Sequence, residues 1–368
     1  MVLATAAAFG IACLVHLLVA GMLVAGLLLV VLGWETVVQP MIGLVLLVGA
    51  AQLRPRLGRP DPELPTLRRV DAPALYTLLD DTADAVGVRH IDTVQVGTEF
   101  ALRVSTCGIR RRRRLELGLP LWLTLAPQQR VTAVAHELGH FASRDIRRGT
   151  LIGAALSSLA GRAEIPEHAP RRASAGSPSA PLVSRHADGM ATASARFKAR
   201  GRAADWALWI PKLVVKGAHR LLMRLTRPSA RLTEFQADAV AARVASTEAT
   251  VSALCDQLLA GAVNAEVHRL AVTVRTFRPV RAAQSTDRDI WAEVAAHAAA
   301  LPRRAGEELP AEDGGLPSVS SRIARLHPGA GHPAVVTLDA AGADAIEDEL
   351  REPKRVLAKK IIQDCVHA

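Results

Sequence analysis

The segment PQQRVTAVAHELGHFASR, residues 127–144, decides the fold. Pro127 suits the first turn of a helix, where the backbone N–H that proline lacks would have no intrahelical partner. Apolar residues then recur with helical spacing at Val131, Val134, Ala135 and Leu138. This period predicts a helix with one buried face, a rigid support for the polar residues that follow.

The second half of this helix carries an H-E-x-x-H motif. Because His136 and His140 are four residues apart, both imidazoles lie on one face of the helix and can bind one metal ion at about 2.0–2.1 Å. Glu137 lies beside that face, where it is predicted to act as general base on a water molecule activated by the metal. The motif therefore indicates hydrolysis of peptide bonds without a covalent intermediate.

A catalytic zinc site uses three protein ligands, so a third one is needed. The longer motif with a third histidine is excluded, because Ser143 and Ile146 stand where it requires glycine and histidine. A downstream carboxylate is expected instead. Glu164 and Glu167 are close in sequence, but they fall in a segment without a sustained period, where a ligand would be poorly fixed.

Glu234 is a better candidate for the third ligand. It lies on a predicted helix, and Asp238 follows one turn later on the same face. One carboxylate of such a pair can bind the metal while the other accepts a hydrogen bond from a ligand histidine. The same spacing is also common on solvated helices. The donor set of two histidines and one glutamate suits zinc best, with one Zn²⁺ per chain.

Composition excludes several classes of protein. The chain has 368 residues, of which 50% are hydrophobic, so it is not a disordered protein. Its net charge of +10 favours contact with anionic surfaces such as lipid headgroups. Aromatic residues make up 3%, which argues against a nucleic-acid reader built on stacked rings. The four cysteines lie far apart and are predicted to be free thiols in a reducing compartment.

The N-terminus is predicted to be a membrane anchor. Residues 1–34 contain no Asp, Glu, Lys or Arg. This run is longer than the roughly 20 apolar residues that a helix needs to span a bilayer. A second apolar stretch, Val37–Leu53, has 17 residues and lies at the short end of the spanning range. A cleaved signal peptide is the alternative, but a basic segment before the apolar run is missing. We therefore expect an uncleaved hairpin over residues 1–53.

Charge next to the anchor predicts its orientation. Five arginines follow the apolar stretches, at Arg54, Arg56, Arg59, Arg68 and Arg69. The one charge between the stretches is Glu35. By the positive-inside rule, residues from 54 onward face the cytoplasm. The sequence thus predicts an integral protein of the cell membrane with both termini and the catalytic domain in the cytosol.

The rest of the chain is predicted to be α+β and mostly helical. A basic linker over 54–69 precedes a catalytic domain over 70–340, with a flexible insertion at 161–203 and a helical tail at 341–368. Strands are expected at Thr93–Val96, Phe100–Val104 and Leu115–Leu123. The five arginines at 110–114 would form the tip of a hairpin, either as a solvated loop or in contact with lipid headgroups.

Further helices are expected along the chain. They are predicted at 72–86, 206–225, 229–240, 247–263 and 289–301, and Pro228 is expected to end the second of them.

These residues resemble a known family, the integral-membrane, gluzincin-type zinc metallopeptidases that include HtpX and the CAAX prenyl protease. The resemblance rests on His-Glu-Leu-Gly-His with Asp145 after it, the Arg-x-x-Glu-Phe-x-Ala-Asp string at Arg231–Asp238, and the Ser-Arg-Ile-Ala-Arg-Leu string at Ser321–Leu326. Together these strings extend over about Val70–Leu326. The resemblance implies a zincin-like domain with a small sheet beside the helix of the motif, preceded by a transmembrane hairpin.

The resemblance also implies roles for individual residues. His136, His140 and Glu234 would bind zinc, with Glu137 as the catalytic base and Asp238 as the partner of a ligand histidine. Asp145 and Arg231 match family positions and would make polar contacts near the site. The strand around Leu115–Leu119 would line the cleft and bind an extended protein or peptide substrate by strand addition.

The sequence departs from the family at several positions. The Asn-Ala segment of the upstream strand is replaced by Thr98–Ala101, the His-Pro before the late arginine by Leu316–Pro317, and a later transmembrane pair is not evident. With Tyr76 far upstream, a tyrosine donor to the oxyanion is not expected. Arg322, His327 or another histidine are the candidates for contacting the oxyanion or substrate.

Other functions were compatible with parts of the sequence. A signalling metallopeptidase of the antibiotic-sensor type shares the motif, but no sensor-sized segment follows Leu326. A membrane-tethered scaffold or chaperone-like binder with a structural metal would use the basic stretch at 171–202 to recruit an acidic partner. A nucleic-acid role rests on charge alone, so no nucleic-acid partner is expected. The sequence predicts no particular oligomeric state.

Overall fold

The structure is a computed structural model. It describes residues 2–33, 36–53, 61–108, 112–142, 155–156, 187–276, 290–303, 317–326 and 331–364. The chain is mostly helical with a small mixed sheet and an apolar helix at its N-terminus, which confirms the predicted fold class. It divides into two compact units, Met1–Arg56 with Arg147–Thr226, and Leu57–Ile146 with Arg227–Ala368.

The first unit begins with a helical hairpin. Helix α1 (Val2–Leu32) and helix α2 (Val38–Gln52) are both rich in leucine and valine and carry no charge in their end turns. They approach closely where glycines face each other, since a Cβ atom on Gly43 would lie 2.7 Å from the carbonyl oxygen of Gly26. Small residues at such a contact let two apolar helices pack backbone to backbone.

Only α1 is long and apolar enough to span a membrane among the helices of the described residues, over Ala6–Leu32. Helix α2 is apolar but shorter, with 15 residues. At 1.5 Å per residue it extends for about 22 Å, less than the roughly 30 Å of a hydrocarbon core. Leucines on both helices remain exposed, as expected of a surface that meets lipid.

Later parts of the chain pack on the start of α1. Ala155 and Leu222 are buried in one cluster with Ala8 and Ala12. Leu222 belongs to α6 (Ala187–Ala245), a helix of 59 residues that continues into the second unit. The N-terminal helix is therefore packed against other apolar parts of its own unit.

The second unit contains one mixed sheet of four strands. The strands are β1 (Thr66–Leu67), β2 (Thr93–Gly97), β3 (Leu102–Cys107) and β4 (Arg112–Gly118), in the order β1-β2-β4-β3. Strands β2 and β4 are parallel, and the other two pairs are antiparallel. The predicted β3–β4 hairpin is present, but Arg112 to Arg114 belong to β4 rather than to a loop.

The second unit also contains helices. They are α3 (Pro73–Val86), α4 (Leu119–Thr124), α5 (Pro127–Ala142), the end of α6, α7 (Thr247–Gln257), α8 (Ala260–Thr276), α9 (Ile290–Ala300), α10 (Val319–Leu326), α11 (Ala340–Glu349) and α12 (Arg351–Asp364). Strand residues Leu115 and Leu117 are fully buried in the same apolar core as Val131 and Leu138 of α5.

Three sequence-based expectations about elements are wrong. The predicted strand at 115–123 ends at Gly118, and α4 follows with Pro120 in its first turn, where proline is tolerated. Pro228 does not end a helix, because α6 continues through it to Ala245. A proline removes one backbone hydrogen bond, which packing of the flanking turns can offset. The part of the expected flexible insertion from 187 to 203 is helical.

The last two helices complete the core of the second unit. Ile346 and Leu350, at the end of α11 and just after it, and Leu357 of α12 are fully buried in that core. The carboxylate of Glu349 accepts hydrogen bonds from the backbone N–H groups of Ala74 at 2.6 Å and Leu75 at 2.9 Å. Ala72, the residue before α3, makes no side-chain cap, so a glutamate 275 positions away in sequence caps that helix.

We predict that Glu349→Ala lowers the free energy of unfolding by about 1–2 kcal/mol, because two N–H groups at a helix N-terminus lose their acceptor. Thermal unfolding of the detergent-solubilised chain measures this. Glu352→Ala is the matched control, since Glu352 forms only an exposed pair with Arg355 and its loss is expected to cost less than about 0.5 kcal/mol. Equal shifts for the two variants would contradict the capping role.

Candidate metal centre

The site is assembled where α5 and α6 cross closely. Gly139 of α5 faces the backbone of α6, and a Cβ atom there would lie 3.1 Å from the Cα of Ala237 and 3.2 Å from the Cβ of Val240. That is tighter than an ordinary van der Waals contact, so glycine lets the two helices approach here without displacing α6. The close approach brings the polar residues of α6 up to the two histidines of α5.

His136, His140 and Glu234 form a cluster of candidate metal ligands. One side-chain ligand atom from each lies within 4.8 Å of the others, and all three residues are half-buried. Nε2 of His136 is 3.5 Å from Oε2 of Glu234, and Nε2 of His140 is 3.7 Å from Oε1. Two ligands bound tetrahedrally at 2.0–2.1 Å from zinc lie about 3.4 Å apart, so these separations fit a shared ion.

Asp238 lies behind the cluster and contacts the other nitrogen of His136. Its Oδ1 is 3.0 Å from Nδ1 of His136, and its side chain is almost fully buried. If Nδ1 donates its proton to this carboxylate, Nε2 is left with its lone pair toward Glu234. The carboxylate thus selects the tautomer and ring orientation that a metal ligand needs.

Arg322 is the remaining charged group of the site. Its Nε and Nη2 donate to the two oxygens of Asp238 at 2.8 and 2.6 Å, and its Nη1 donates to Gln257 at 3.3 Å. Nη2 is also 3.7 Å from Oε2 of Glu234. The sequence offered Arg322 as an oxyanion or substrate contact, whereas in the structure its guanidinium is buried on carboxylates of α6.

Glu137 lies beside the ligand cluster on the side of the sheet. Its Oε2 accepts a hydrogen bond of 3.1 Å from the backbone N–H of Val104 in β3. Strand β3 is at the end of the sheet order, and β4 lies inside it. The prediction that residues 115–119 line the cleft edge is therefore wrong, because the hairpin places β3 outside β4 and next to α5.

Burial and charge shift the protonation of these groups. Burial lowers the pKa of His136, but hydrogen bonds to Asp238 and Glu234 outweigh it and raise that pKa to about 9. Burial and the charge on His136 lower the pKa of His140. Burial would raise the pKa of Asp238, yet Arg322 and His136 lower it to about 2. Without a metal ion, the proton on His136 supplies part of the positive charge that the neighbouring carboxylates attract.

The pKa of Glu137, the candidate general base, is shifted in the opposite direction from the pKa values of Glu234 and Asp238. Burial raises the pKa of Glu137, and this outweighs the positive charge on His136 and the hydrogen bond from Val104. Burial also acts on Glu234, but His136, His140 and Arg322 lower its pKa below the usual range. The two glutamates therefore suit different tasks, proton transfer for the first and metal binding for the second.

Other residues singled out in the sequence are placed differently. Arg231 is exposed on α6, one turn before Glu234, and its suggested contact near the site stays a prediction. Asp145, His327, Glu164 and Glu167 lie outside the described residues. No pattern in the sequence indicated Gln257, whose contact depends on how α7 packs, or the backbone N–H of Val104.

Comparison with known protein families agrees with this arrangement. The model of peptidase family M48 matches residues 119–328, more than half of the chain and all three sequence strings around the site. The chain belongs to peptidase family M48. HtpX and the CAAX prenyl protease are members of the same family, as the resemblance implied. No curated protein and no solved structure matches the chain.

M48 peptidases depend on a metal, and the cluster of His136, His140 and Glu234 is where this one can bind it. The donor set fits zinc, since it offers two imidazole nitrogens and one carboxylate and has an anionic partner behind one ring. The conclusion supported by family and geometry together is a metallopeptidase.

Metal binding is predicted to depend steeply on pH between 7 and 9. A metal must displace the proton from His136, whose pKa of about 9 keeps it charged at neutral pH. The apparent affinity for Zn²⁺ should therefore rise about tenfold per pH unit over this window and level off above it. Competition titrations against a chromophoric chelator measure the slope.

The stability of the metal-free chain should change in the opposite direction. The pKa of His136 is above its unfolded value, so the stabilisation by its charge is full below pH 6.5 and is lost as the pH rises through about 9. Asp238→Asn is the control, because removing the carboxylate should flatten both profiles. A Zn²⁺ affinity that is constant from pH 7 to 8.5 would contradict the assignment.

Proposed function

We propose that the chain is a membrane-anchored, zinc-dependent endopeptidase that hydrolyses peptide bonds in unfolded or membrane-associated proteins. The observation that carries this proposal is the position of Glu137 next to three convergent ligands, on a helix within an M48 domain. A zinc ion at this site would polarise the scissile carbonyl and lower the pKa of a water molecule toward 7.

Glu137 is assigned the proton transfers. Its Oε2 accepts a hydrogen bond from the N–H of Val104, which restricts rotation of the carboxylate. Burial raises its pKa, which makes the carboxylate a better acceptor for a proton from the attacking water. Passing that proton to the leaving amine nitrogen completes cleavage and returns Glu137 to its ionised form.

The substrate would bind as an extended segment along β3. Within the described residues, β3 pairs with β4 alone, and the N–H of Val104 points away from β4 to Glu137. Backbone groups on that outer side can pair with a polypeptide strand, which places its amide groups next to the ligand cluster. A folded substrate cannot offer such a strand, so unfolded or loop segments are the expected substrates.

The membrane anchor is assigned to the α1–α2 hairpin. Helix α1 has the length and composition to span a bilayer, and the two helices pack through Gly26 and Gly43. Positive charge after α2 favours a cytoplasmic location for the catalytic domain. Membrane lipids would then be permanent partners, and substrates would be proteins that reach the cytoplasmic surface of the cell membrane.

The catalytic role is tested with Glu137→Gln in the purified, detergent-solubilised chain. Cleavage of casein should fall by a factor of about 10²–10⁴, because the base is lost, while the Zn²⁺ content stays at one per chain. Glu352→Gln is the control, because it changes the same atoms in an exposed pair with Arg355 and should leave cleavage unchanged. Full cleavage by Glu137→Gln would refute the mechanism.

The same experiment separates an enzyme from a scaffold. Removing the metal with a chelator should stop cleavage by the unaltered chain, and adding Zn²⁺ should restore it. Stoichiometric zinc without turnover on any unfolded substrate would instead favour a non-catalytic binder with a structural metal.

The anchor and its orientation are tested in vesicles. The chain should stay with the membrane after alkaline carbonate extraction, since α1 is buried in lipid. A tag at the C-terminus should be digested by protease in inside-out vesicles and protected in right-side-out vesicles. Extraction by carbonate would contradict the anchor, and digestion in right-side-out vesicles would contradict the cytoplasmic location.

A further inference from the structure

We propose that Arg322 is a positioning residue of the metal centre. Its guanidinium holds Asp238 in the one orientation in which that carboxylate fixes the ring of His136 for metal binding. The inference rests on the proposed function, because it concerns the same site, but it assigns Arg322 to the metal centre and not to the substrate.

The contacts form a chain from Arg322 to a metal ligand. Nη2 of Arg322 and Nδ1 of His136 both contact Oδ1 of Asp238, at 2.6 and 3.0 Å. Nε of Arg322 holds the other oxygen, Oδ2, at 2.8 Å. Because both oxygens are held by one planar group, the carboxylate cannot rotate about its last bond without losing a charge-assisted hydrogen bond. The ring of His136 is fixed in turn.

Arg322 is brought to the site by a helix with little other buried surface. Of the eight residues of α10, Arg322 is the buried one. Its Nη1 donates to Oε1 of Gln257, at the end of α7, at 3.3 Å. The guanidinium is therefore held by α6 on one side and α7 on the other, and a longer contact, 3.5 Å to Nδ1 of His136, is with α5.

The same contacts argue against a direct role in the reaction. All three guanidinium nitrogens have a protein partner, and the side chain is 10% exposed. Nη2 is closer to Asp238 than to Glu234, at 2.6 against 3.7 Å. To donate to an oxyanion, the guanidinium would have to leave a buried carboxylate unpaired, which is costly. Nη2 also lies 3.5 Å from Nδ1 of His136, but the contacts with Asp238 are the shortest, so we expect its effect on the metal to pass chiefly through Asp238.

Only the planar guanidinium of an arginine can donate to both oxygens of Asp238 at once. Lysine keeps the charge but offers a point contact, so it cannot hold both oxygens of Asp238 in one plane. Glutamine keeps part of the side-chain length but removes the charge. If positioning matters, both variants should weaken metal binding. Outer contacts of this kind are worth about a factor of 10–100 in metal affinity.

The test measures the Zn²⁺ affinity of Arg322→Lys and Arg322→Gln in the full, solubilised chain by competition with a chelator. Both should bind 10–100-fold more weakly than the unaltered chain. The absorption spectrum of the Co²⁺-loaded variants should also change, because the geometry at His136 is relaxed. Arg130→Lys is the matched control: Arg130 is a buried arginine on α5 paired with Glu347 at 2.9 Å, so its exchange should leave Zn²⁺ affinity unchanged.

Asp238→Asn then tests whether Arg322 acts through Asp238. The double variant Asp238→Asn with Arg322→Gln should bind Zn²⁺ no more weakly than Asp238→Asn alone, within about a factor of two, because the first change already removes the link. Additive losses would overturn the proposal. So would unchanged Zn²⁺ affinity with a lowered kcat, which would make Arg322 a contact of the reacting atoms. If the unaltered chain binds no metal, the proposed function fails first.

Discussion

The close crossing of α5 and α6 at Gly139 is the constraint on which the site depends. The two histidines are on one helix and the carboxylates on another, almost a hundred residues later. Neither helix can bind a metal alone, since two ligands leave the ion mostly to water. A Cβ atom at position 139 would lie 3.1 Å from the Cα of Ala237, so even an alanine there would press on α6 close to Glu234.

Burying so many charges at this crossing is costly for a folded chain, and the contacts show how the cost is limited. Asp238 is 2% exposed, yet both of its oxygens are held by Arg322 and one also by His136. Glu137 accepts a hydrogen bond from one backbone N–H, but burial outweighs that contact and keeps its pKa high. The site thus contains one acid that stays ionised and one that can change its protonation.

The sequence predicted those parts of the site that depend on local spacing. The i, i+4 pairs His136 with His140 and Glu234 with Asp238 each define one helix face, and the structure brings the two faces together. The sequence could not predict which strand lies at the edge of the sheet. Both β3 and β4 alternate apolar and polar residues, and their order is set by tertiary packing.

Polar contacts between residues far apart in the chain could not be predicted from the sequence for a related reason. The partners of Arg322 are 65 and 84 residues away, and an arginine in a short polar helix is usually solvated. In the same way Glu349, in a segment expected to be only a tail, caps α3. Helix-ending signals were also overridden, since α6 continues through Pro228 where packing holds it. Each of these depends on the final arrangement of distant elements.

The charges at the site favour a divalent cation. Glu137, Glu234 and Asp238 are acids, while Arg322 and protonated His136 are cations, so the fully ionised cluster without metal has a net charge of minus one. Exchanging the proton of His136 for a divalent ion brings the sum to zero. A monovalent cation would leave the excess negative charge unchanged. Since buried charge is stabilised chiefly by compensation, the cluster selects an ion of charge two that imidazole and carboxylate can both bind.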